Sequence, residues 1–319
     1  MKSGATPPPS ISVVVPVYRS EAALPLLVKR LLPVLTAATA RFELVLVNDG
    51  SPDGSWQVIE QLATEYSWVR GICLMRNYGQ HNALLCGIRA ARHEVIVTMD
   101  DDLQHPPEEI PKLLAKLGEG FDVVYGTPRL EQHGLWRDAA SQFTKMALQS
   151  ATGAKMARNA SAFRVFRTSV RNAFAEYRSP FSSIDVLLTW GTTRFAAVPV
   201  EHNSREIGTS NYTFGKLVTH ALNMLTGYST APLRLASLIG FGFTLFGLAV
   251  LAYVIISYFV RGSSVAGFPF LASIVAIFSG AQLFALGIIG EYVARMHFRT
   301  MDRPAYIQRT QTGAIPGQN

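Results

Sequence analysis

The sequence predicts an α/β domain built around a mostly parallel sheet, followed by a two-helix transmembrane hairpin. Short β-branched runs alternate with segments of helical period from residue 11 to residue 126. Two stretches without charge, Leu235 to Val260 and a second ending at Gly290, fill most of the last third. A membrane span needs about 20 mostly apolar residues, and both stretches exceed that.

Residues 11–17 (Ile-Ser-Val-Val-Val-Pro-Val) have the composition of a buried parallel strand. Leu24, Leu27, Leu31, Leu32 and Leu35 then recur at helical spacing. A second strand, Phe42 to Val47, runs into Asn48-Asp49-Gly50-Ser51, where Ser51 or Asp53 can cap a helix beginning near Trp56. A third strand covers Val69 to Leu74 and a helix Gln80 to Arg92. The fourth strand, Val95 to Met99, ends at Asp100-Asp101-Asp102. Pro106 and Pro107 open a helix through Leu117, and Val123 to Gly126 is a fifth strand. Sheets of this kind bind ligands beyond the carboxyl ends of their strands, so Tyr18, Asp49 and the three aspartates should share one crevice.

Only Arg261 to Gly267 join the two apolar stretches, so both outer ends lie on one side. Those ends carry Lys216 and Arg234, then Arg295, Arg299, Arg303 and Arg309, against Arg261 alone at the tip. The positive-inside rule places the N-terminal region and both termini in the cytoplasm. The polar, Pro-rich start shows no signal peptide. The expected organisation is a disordered tail over 1–10, an α/β domain over 11–213 and an interfacial amphipathic helix over 214–232. The hairpin then occupies 233–294, with spans at 235–260 and 268–290, and 295–319 is a cytoplasmic tail. Phe214 to Tyr228 has the spacing of a helix lying at the membrane surface; Arg137 to Ala151 suits either that surface or packing on its own domain. Within the second span, Ala276 and Gly280 have small-xxx-small spacing suited to helix contact, which permits a homo-oligomer through the hairpin. Glu291 and Arg295 are spaced for an ion pair.

The formal net charge of +7 suits anionic headgroups and phosphates. It would also suit nucleic acid, but the two spans argue against that partner. Cys73 and Cys86 are the only cysteines, which points to a reduced setting without a disulfide.

The acidic turn is the most informative local feature. Three carboxylates after an apolar strand repel one another unless a cation or hydrogen-bond donors neutralise them. Oxygen ligands suit Mg²⁺ or Mn²⁺, and Mg²⁺ commonly shares its sphere with substrate phosphates. Alternation lets Asp100 and Asp102 act together while Asp101 points elsewhere. Asp49 sits in a strand-to-helix turn that can meet a ribose or base, although Asp-Gly-Ser is also an ordinary turn. Arg129, Arg137, Arg164 and Arg205 are candidate phosphate binders, each otherwise a surface residue. Gly208, Ser210 and Tyr212 suggest a loop that closes over a donor. His81 and His105 form no ligand pattern with cysteine, so zinc is not indicated.

Several segments occur in a recognisable order: Val-Val-Val-Pro-Val-Tyr (13–18), Val-Asn-Asp-Gly-Ser (47–51), Arg-Asn-Tyr-Gly-Gln-His (76–81) and Met-Asp-Asp-Asp-Leu-Gln-His-Pro-Pro-Glu (99–108). Phe-Arg (163–164), Arg-Glu-Ile-Gly-Thr-Ser-Asn-Tyr (205–212) and Gly-Glu-Tyr (290–292) follow. Together they resemble family 2 glycosyltransferases of the Rossmann-like GT-A fold. Within that family they resemble the polyprenyl-phosphate sugar transferases, above all the bacterial undecaprenyl-phosphate enzymes. The resemblance implies a metal-dependent transfer, with Mg²⁺ or Mn²⁺, from a nucleotide-sugar, UDP favoured over GDP, to a polyprenyl phosphate in the bacterial inner membrane.

Residue by residue, the resemblance implies that Pro16, Tyr18, Glu21, Asp49 and Asp100 bind the nucleotide. Asp102 and Gln104, with Asp100, would hold the cation. Arg205 would clamp the donor phosphates, while Arg129, Arg137 and Ser141 would receive the lipid phosphate; Asp102, Arg205 and Arg129 would carry catalysis. The chain departs from the family pattern at Arg19 and Ser20, where Asn-Glu is common, and at Asp101, where Ala is usual. Asn211 replaces a common Lys, and Ala162 stands where some relatives have an acidic residue. The rival readings are a processive polysaccharide synthase, which would carry a Gln-x-x-Arg-Trp motif absent here, and an inactive membrane scaffold of the same fold.

Overall fold

The computed structural model describes residues 8–128, 160–180, 182–203, 231–261 and 268–313. Arg137 to Ala151, Phe214 to Tyr228, the 205–212 loop and the hairpin tip lie outside the described residues.

Eight strands form one sheet: β1 (Ile11–Val17), β2 (Phe42–Asn48), β3 (Val69–Leu74), β4 (Val95–Thr98), β5 (Val123–Pro128), β6 (Arg164–Arg167), β7 (Phe195–Val200) and β8 (Gln308–Thr312). Their spatial order is β7-β5-β6-β4-β1-β2-β3-β8. β1, β2, β3, β4, β5 and β7 point the same way, whereas β6 and β8 run opposite. The central strands are parallel and covered on both faces, so β1 and β3 are buried along their whole length.

Alternation along β1 and β2 divides the core. Val13, Val15, Leu44 and Leu46 pack with α1 (Leu24–Ala38), α2 (Ser55–Glu65) and α4 (Ile110–Gly118). Val14, Val45 and Val47 face the other way, onto α3 (Gln80–Ala90) and α5 (Ile184–Gly191). A buried polar knot closes the amino end of the strands. Glu43 accepts from the Ser12 hydroxyl, the Arg70 guanidinium and the Arg92 backbone N–H, each at 2.7 Å.

Two long helices follow, α6 (Ala231–Arg261) and α7 (Phe268–Thr300). Pro232–Ser257 and Ile277–His297 are each apolar enough to cross a membrane and are not buried within the molecule. At 1.5 Å per residue α7 is about 50 Å long, so it outruns a hydrocarbon core of about 30 Å. Its polar last turns carry the expected Glu291–Arg295 pair, with Nη2 and Oε1 2.7 Å apart. The helix contact runs through Phe278, which meets Phe243 at 5.7 Å between ring centroids and packs on Gly247. Gly280, two residues on, faces open space.

The expected tail is also different. After Thr300 the chain returns to the sheet, and β8 pairs antiparallel with β3, Cys73 opposite Thr310. Arg178 pairs with Asp302 at 3.3 Å, and Ala305 is buried. Residues 305–312 therefore belong to the α/β domain's structure, although they follow the hairpin in sequence.

Candidate active site

The carboxyl ends of β1, β2, β3 and β4 open into a cleft of about 490 Å³. It is lined by Pro16, Tyr18, Asp49, Asn77, Gly79, Gln80, Asp100 to Asp102 and Gln104, with Val17 beneath. The structure thus gathers the expected nucleotide residues Pro16, Tyr18, Asp49 and Asp100 with the expected metal residues Asp102 and Gln104.

Each aspartate ties a loop. Asp49, at the end of β2, accepts from the Tyr78 and Gly79 backbone N–H groups at 2.7 and 2.9 Å. Burial raises its pKa, and the two N–H donors oppose that rise. The turn needs glycine next: Gly50 has φ +61, and a Cβ there would stand 2.5 Å from the Arg76 carbonyl carbon. Asp100 accepts from the Gln80 side chain at 2.6 Å, joining the start of α3 to the acidic turn. Asp101, expected to point elsewhere, lines the cleft as well, because β4 ends at Thr98 and strand alternation stops there; it accepts from the Ser20 hydroxyl and the Tyr18 backbone N–H. Burial pushes its pKa up to about 6, against those hydrogen bonds. Asp102 accepts from the Gln104 N–H at 3.2 Å, within a turn whose Leu103 is left-handed at φ +59. A buried leucine in that conformation is a local strain of the kind found at working sites.

Those placements decide how a cation would fit. Among the described residues no three His, Cys, Asp or Glu side chains form a ready cage. Asp101 serves Ser20 and Asp100 serves Gln80, while Asp102 and Gln104 offer oxygen donors at the cleft. A partial oxygen set suits Mg²⁺ or Mn²⁺, whose sphere donor phosphates and water would complete.

Two expectations change. Glu21, placed at the nucleotide by resemblance, instead accepts from the Gly54 N–H at 3.0 Å at the start of α2 and does not line the cleft. The Gly54 position has no side chain, which lets that carboxylate close on it. Arg164, a candidate phosphate binder, is buried at 1% exposure and bonded to Asp185 at 2.6 Å, so its charge is already spent. Arg129, Arg137, Ser141 and Arg205 lie outside the described residues.

Sequence reasoning missed Gln80 as an individual partner and His202 altogether. His105 packs against Phe163 and His202, its Nδ1 buried without a hydrogen-bond partner among the described residues. Burial, with the charge of His202, pulls the pKa of His105 down to about 4. Asn203 donates its N–H to the Gln104 carbonyl at 2.9 Å, so the chain leading to Arg205 departs from beside the acidic turn.

A mainly parallel sheet whose carboxyl edge holds a nucleotide-sized cleft, an acidic turn and an Asp-Gly turn defines a GT-A-type glycosyltransferase. Comparison with known proteins makes this specific. Residues 12–176 match the description "Glycosyl transferase family 2". An undecaprenyl-phosphate 4-deoxy-4-formamido-L-arabinose transferase of Shewanella sediminis is 38% identical over 93% of this chain and 90% of its own. The enzyme of the same name from Proteus mirabilis is 36% identical over 97% and 96%. The chain belongs to glycosyl transferase family 2. Among solved structures, glucosyl-3-phosphoglycerate synthase of Mycobacterium tuberculosis, in complex with Mn²⁺ and UDP-glucose, superposes with a TM-score of 0.52 at 17% identity. That match covers 68% of this chain and 77% of the synthase, and it bears on the fold.

Proposed function

We propose that this glycosyltransferase moves a sugar from a nucleotide-sugar to a polyprenyl phosphate with inversion at the anomeric carbon. The observation that carries the reading is the cleft itself, where Asp102 and Gln104 share one cavity with Tyr18 and Asp49. Relatives similar over nearly the whole length, hairpin included, act on undecaprenyl phosphate by name, which supports that lipid as acceptor. UDP is the favoured nucleotide, supported by the UDP-glucose bound in the related fold.

The chemistry asks little of a base. A phosphate monoester has its second pKa near ~6, so its oxygen is anionic at neutral pH. That oxygen attacks the anomeric carbon as the bond to the diphosphate oxygen breaks; nucleoside diphosphate leaves and no proton has to move. Tyr18 and Asp49 hold the nucleotide, while Asp102 and Gln104 would hold Mg²⁺ or Mn²⁺, whose charge would neutralise the diphosphate leaving group. Arg205 is proposed as the second clamp on that charge, and Arg129, Arg137 and Ser141 as the acceptor's phosphate site. The basic flanks of both helices support an inner-membrane hairpin with the cleft on the cytoplasmic side. The open face at Gly280 leaves room for association with a second copy.

The test is transfer from a panel of UDP- and GDP-sugars to undecaprenyl phosphate in detergent, with Mg²⁺ or Mn²⁺. A lipid-linked product of inverted configuration that falls at least about 100-fold in Asp102→Asn supports the reading. A retained configuration removes the single-displacement mechanism. Absence of both transfer and nucleotide binding favours the inactive scaffold.

A further inference from the structure

Four loops meet at the cleft, and the one after β1 is held in an unusual way. Its Arg19 has φ +58, a conformation that a non-glycine residue keeps only when its surroundings impose it. Three neighbouring residues impose it. The Arg19 N–H donates to the Ser51 hydroxyl at 2.8 Å, and the Ser20 N–H to the Ser55 hydroxyl at 3.0 Å. The third comes from Asp101, whose Oδ2 accepts from the Ser20 hydroxyl and from the Tyr18 N–H at 3.4 Å. Of these three holding residues, Asp101 alone also lines the cleft, beside Tyr18. Tyr18 is 40% exposed, with the Arg19 guanidinium 5.5 Å from its ring centroid.

We propose that Asp101 is a positioning residue for the donor: by latching Ser20 and the Tyr18 backbone, it fixes the left-handed turn and presents the Tyr18 ring to the nucleotide in its bound orientation. The physical gain is preorganisation. A loop already ordered loses less conformational freedom when ligand arrives, and affinity rises without a new contact. The acidic turn therefore divides its work, Asp102 and Gln104 facing the diphosphate end while Asp101 arranges the base end. The role at the donor rests on the proposed function; the ordering of the loop stands by itself.

Three measurements on the full-length protein in detergent test this. Hydrogen exchange of the Tyr18–Glu21 amides should accelerate in Asp101→Ala, and less in Ser20→Ala, with no nucleotide present. UDP affinity with Mg²⁺ should fall roughly tenfold in Asp101→Ala, the size of one well-made hydrogen bond to a charged group. The same change made in a Tyr18→Ala background should cost less than about twofold, because the latch then has no ring to place. Mn²⁺ affinity, followed by paramagnetic resonance, should stay within about twofold in Asp101→Ala, whereas Asp102→Asn loses it. Unchanged exchange overturns the latch. An equal loss of UDP affinity with and without the Tyr18 ring reduces Asp101 to a general stabiliser, and a loss of Mn²⁺ makes it a metal ligand; either overturns the proposal. If the unaltered protein binds no UDP, the donor reading fails and exchange alone decides whether the latch exists.

Discussion

Arg164 and Asp185 form a buried ion pair, with Nη1 and Oδ1 2.6 Å apart, and the Tyr125 hydroxyl donates to the same oxygen at 3.1 Å. The pair joins β6 to α5, and with Arg164 buried it keeps that guanidinium from a substrate. Removing one member of such a pair strands a buried charge and costs about 3–5 kcal/mol. Asp185→Ala should therefore lower the melting temperature by roughly 6–20 °C, at about 2–4 °C per kcal/mol for a domain of this size. UDP affinity should stay within about twofold at a temperature where the variant is folded. Lost affinity with unchanged melting would return Arg164 to the substrate.

Gly50 carries the geometry of the β2 turn. An added Cβ would lie 2.5 Å from the Arg76 carbonyl carbon and 2.6 Å from the Asn77 nitrogen, and backbone cannot rotate aside as a side chain can. Gly50→Ala should cost about 1–3 kcal/mol from the φ of +61 alone. It should also displace the 76–79 loop from Asp49, weakening UDP binding. Melting curves and UDP titration at the unaltered values would show that the loops do not approach so closely.

Much of this arrangement is legible in the sequence, for local reasons. β1 and β3 lie where their short, mainly apolar runs predict, and Tyr18, Asp49 and the acidic turn meet because each follows a parallel strand. β6 is obscured by its charged ends, α5 by its length of 8 residues, and β7 by Pro199 within it. β8, Gln-Arg-Thr-Gln-Thr, has no apolar pattern at all; it is a strand because β3 offers an open edge, a fact of tertiary structure. Arg164 shows the same limit. Its side chain announces a cation, and only the fold supplies Asp185 to neutralise it. Glu21 likewise has the right identity for a polar contact but is drawn to Gly54 by helix α2.

Glu43 gives the domain an acid-sensitive anchor at the opposite end of the sheet. Burial by itself would raise its pKa, but hydrogen bonds from Ser12, Arg70 and Arg92, with the charge of Arg70, hold it below its ordinary value of 4.5. A depressed folded pKa contributes stability that is complete above pH 4.5 and is lost as the pH falls through the folded value. Melting temperature should decline as the pH drops below about 4.5. Glu43→Gln should be less stable at pH 7 and should show a shallower decline in acid. An unchanged acid slope in that variant would assign the sensitivity to other carboxylates.

Cys86 reports whether β8 covers the domain in solution. It is fully buried on α3, its sulfur accepts from Gln308 Nε2 at 3.3 Å, and burial pushes its thiol up to about 11. A thiol both buried and protonated reacts slowly, so a maleimide at pH 8 should leave Cys86 unlabelled in the intact chain. Ending the chain after Arg303 removes Ala305, Tyr306 and Gln308 from that face and strips β3 of its edge partner. In a Cys73→Ala background, which leaves one thiol to follow, labelling of Cys86 should then speed up by at least about tenfold. The shortened protein should also self-associate, because β3 would present unpaired N–H and C=O groups. Equal labelling rates in the two chains would mean that α3 is covered without β8, and that the segment beyond the hairpin does not seal the domain.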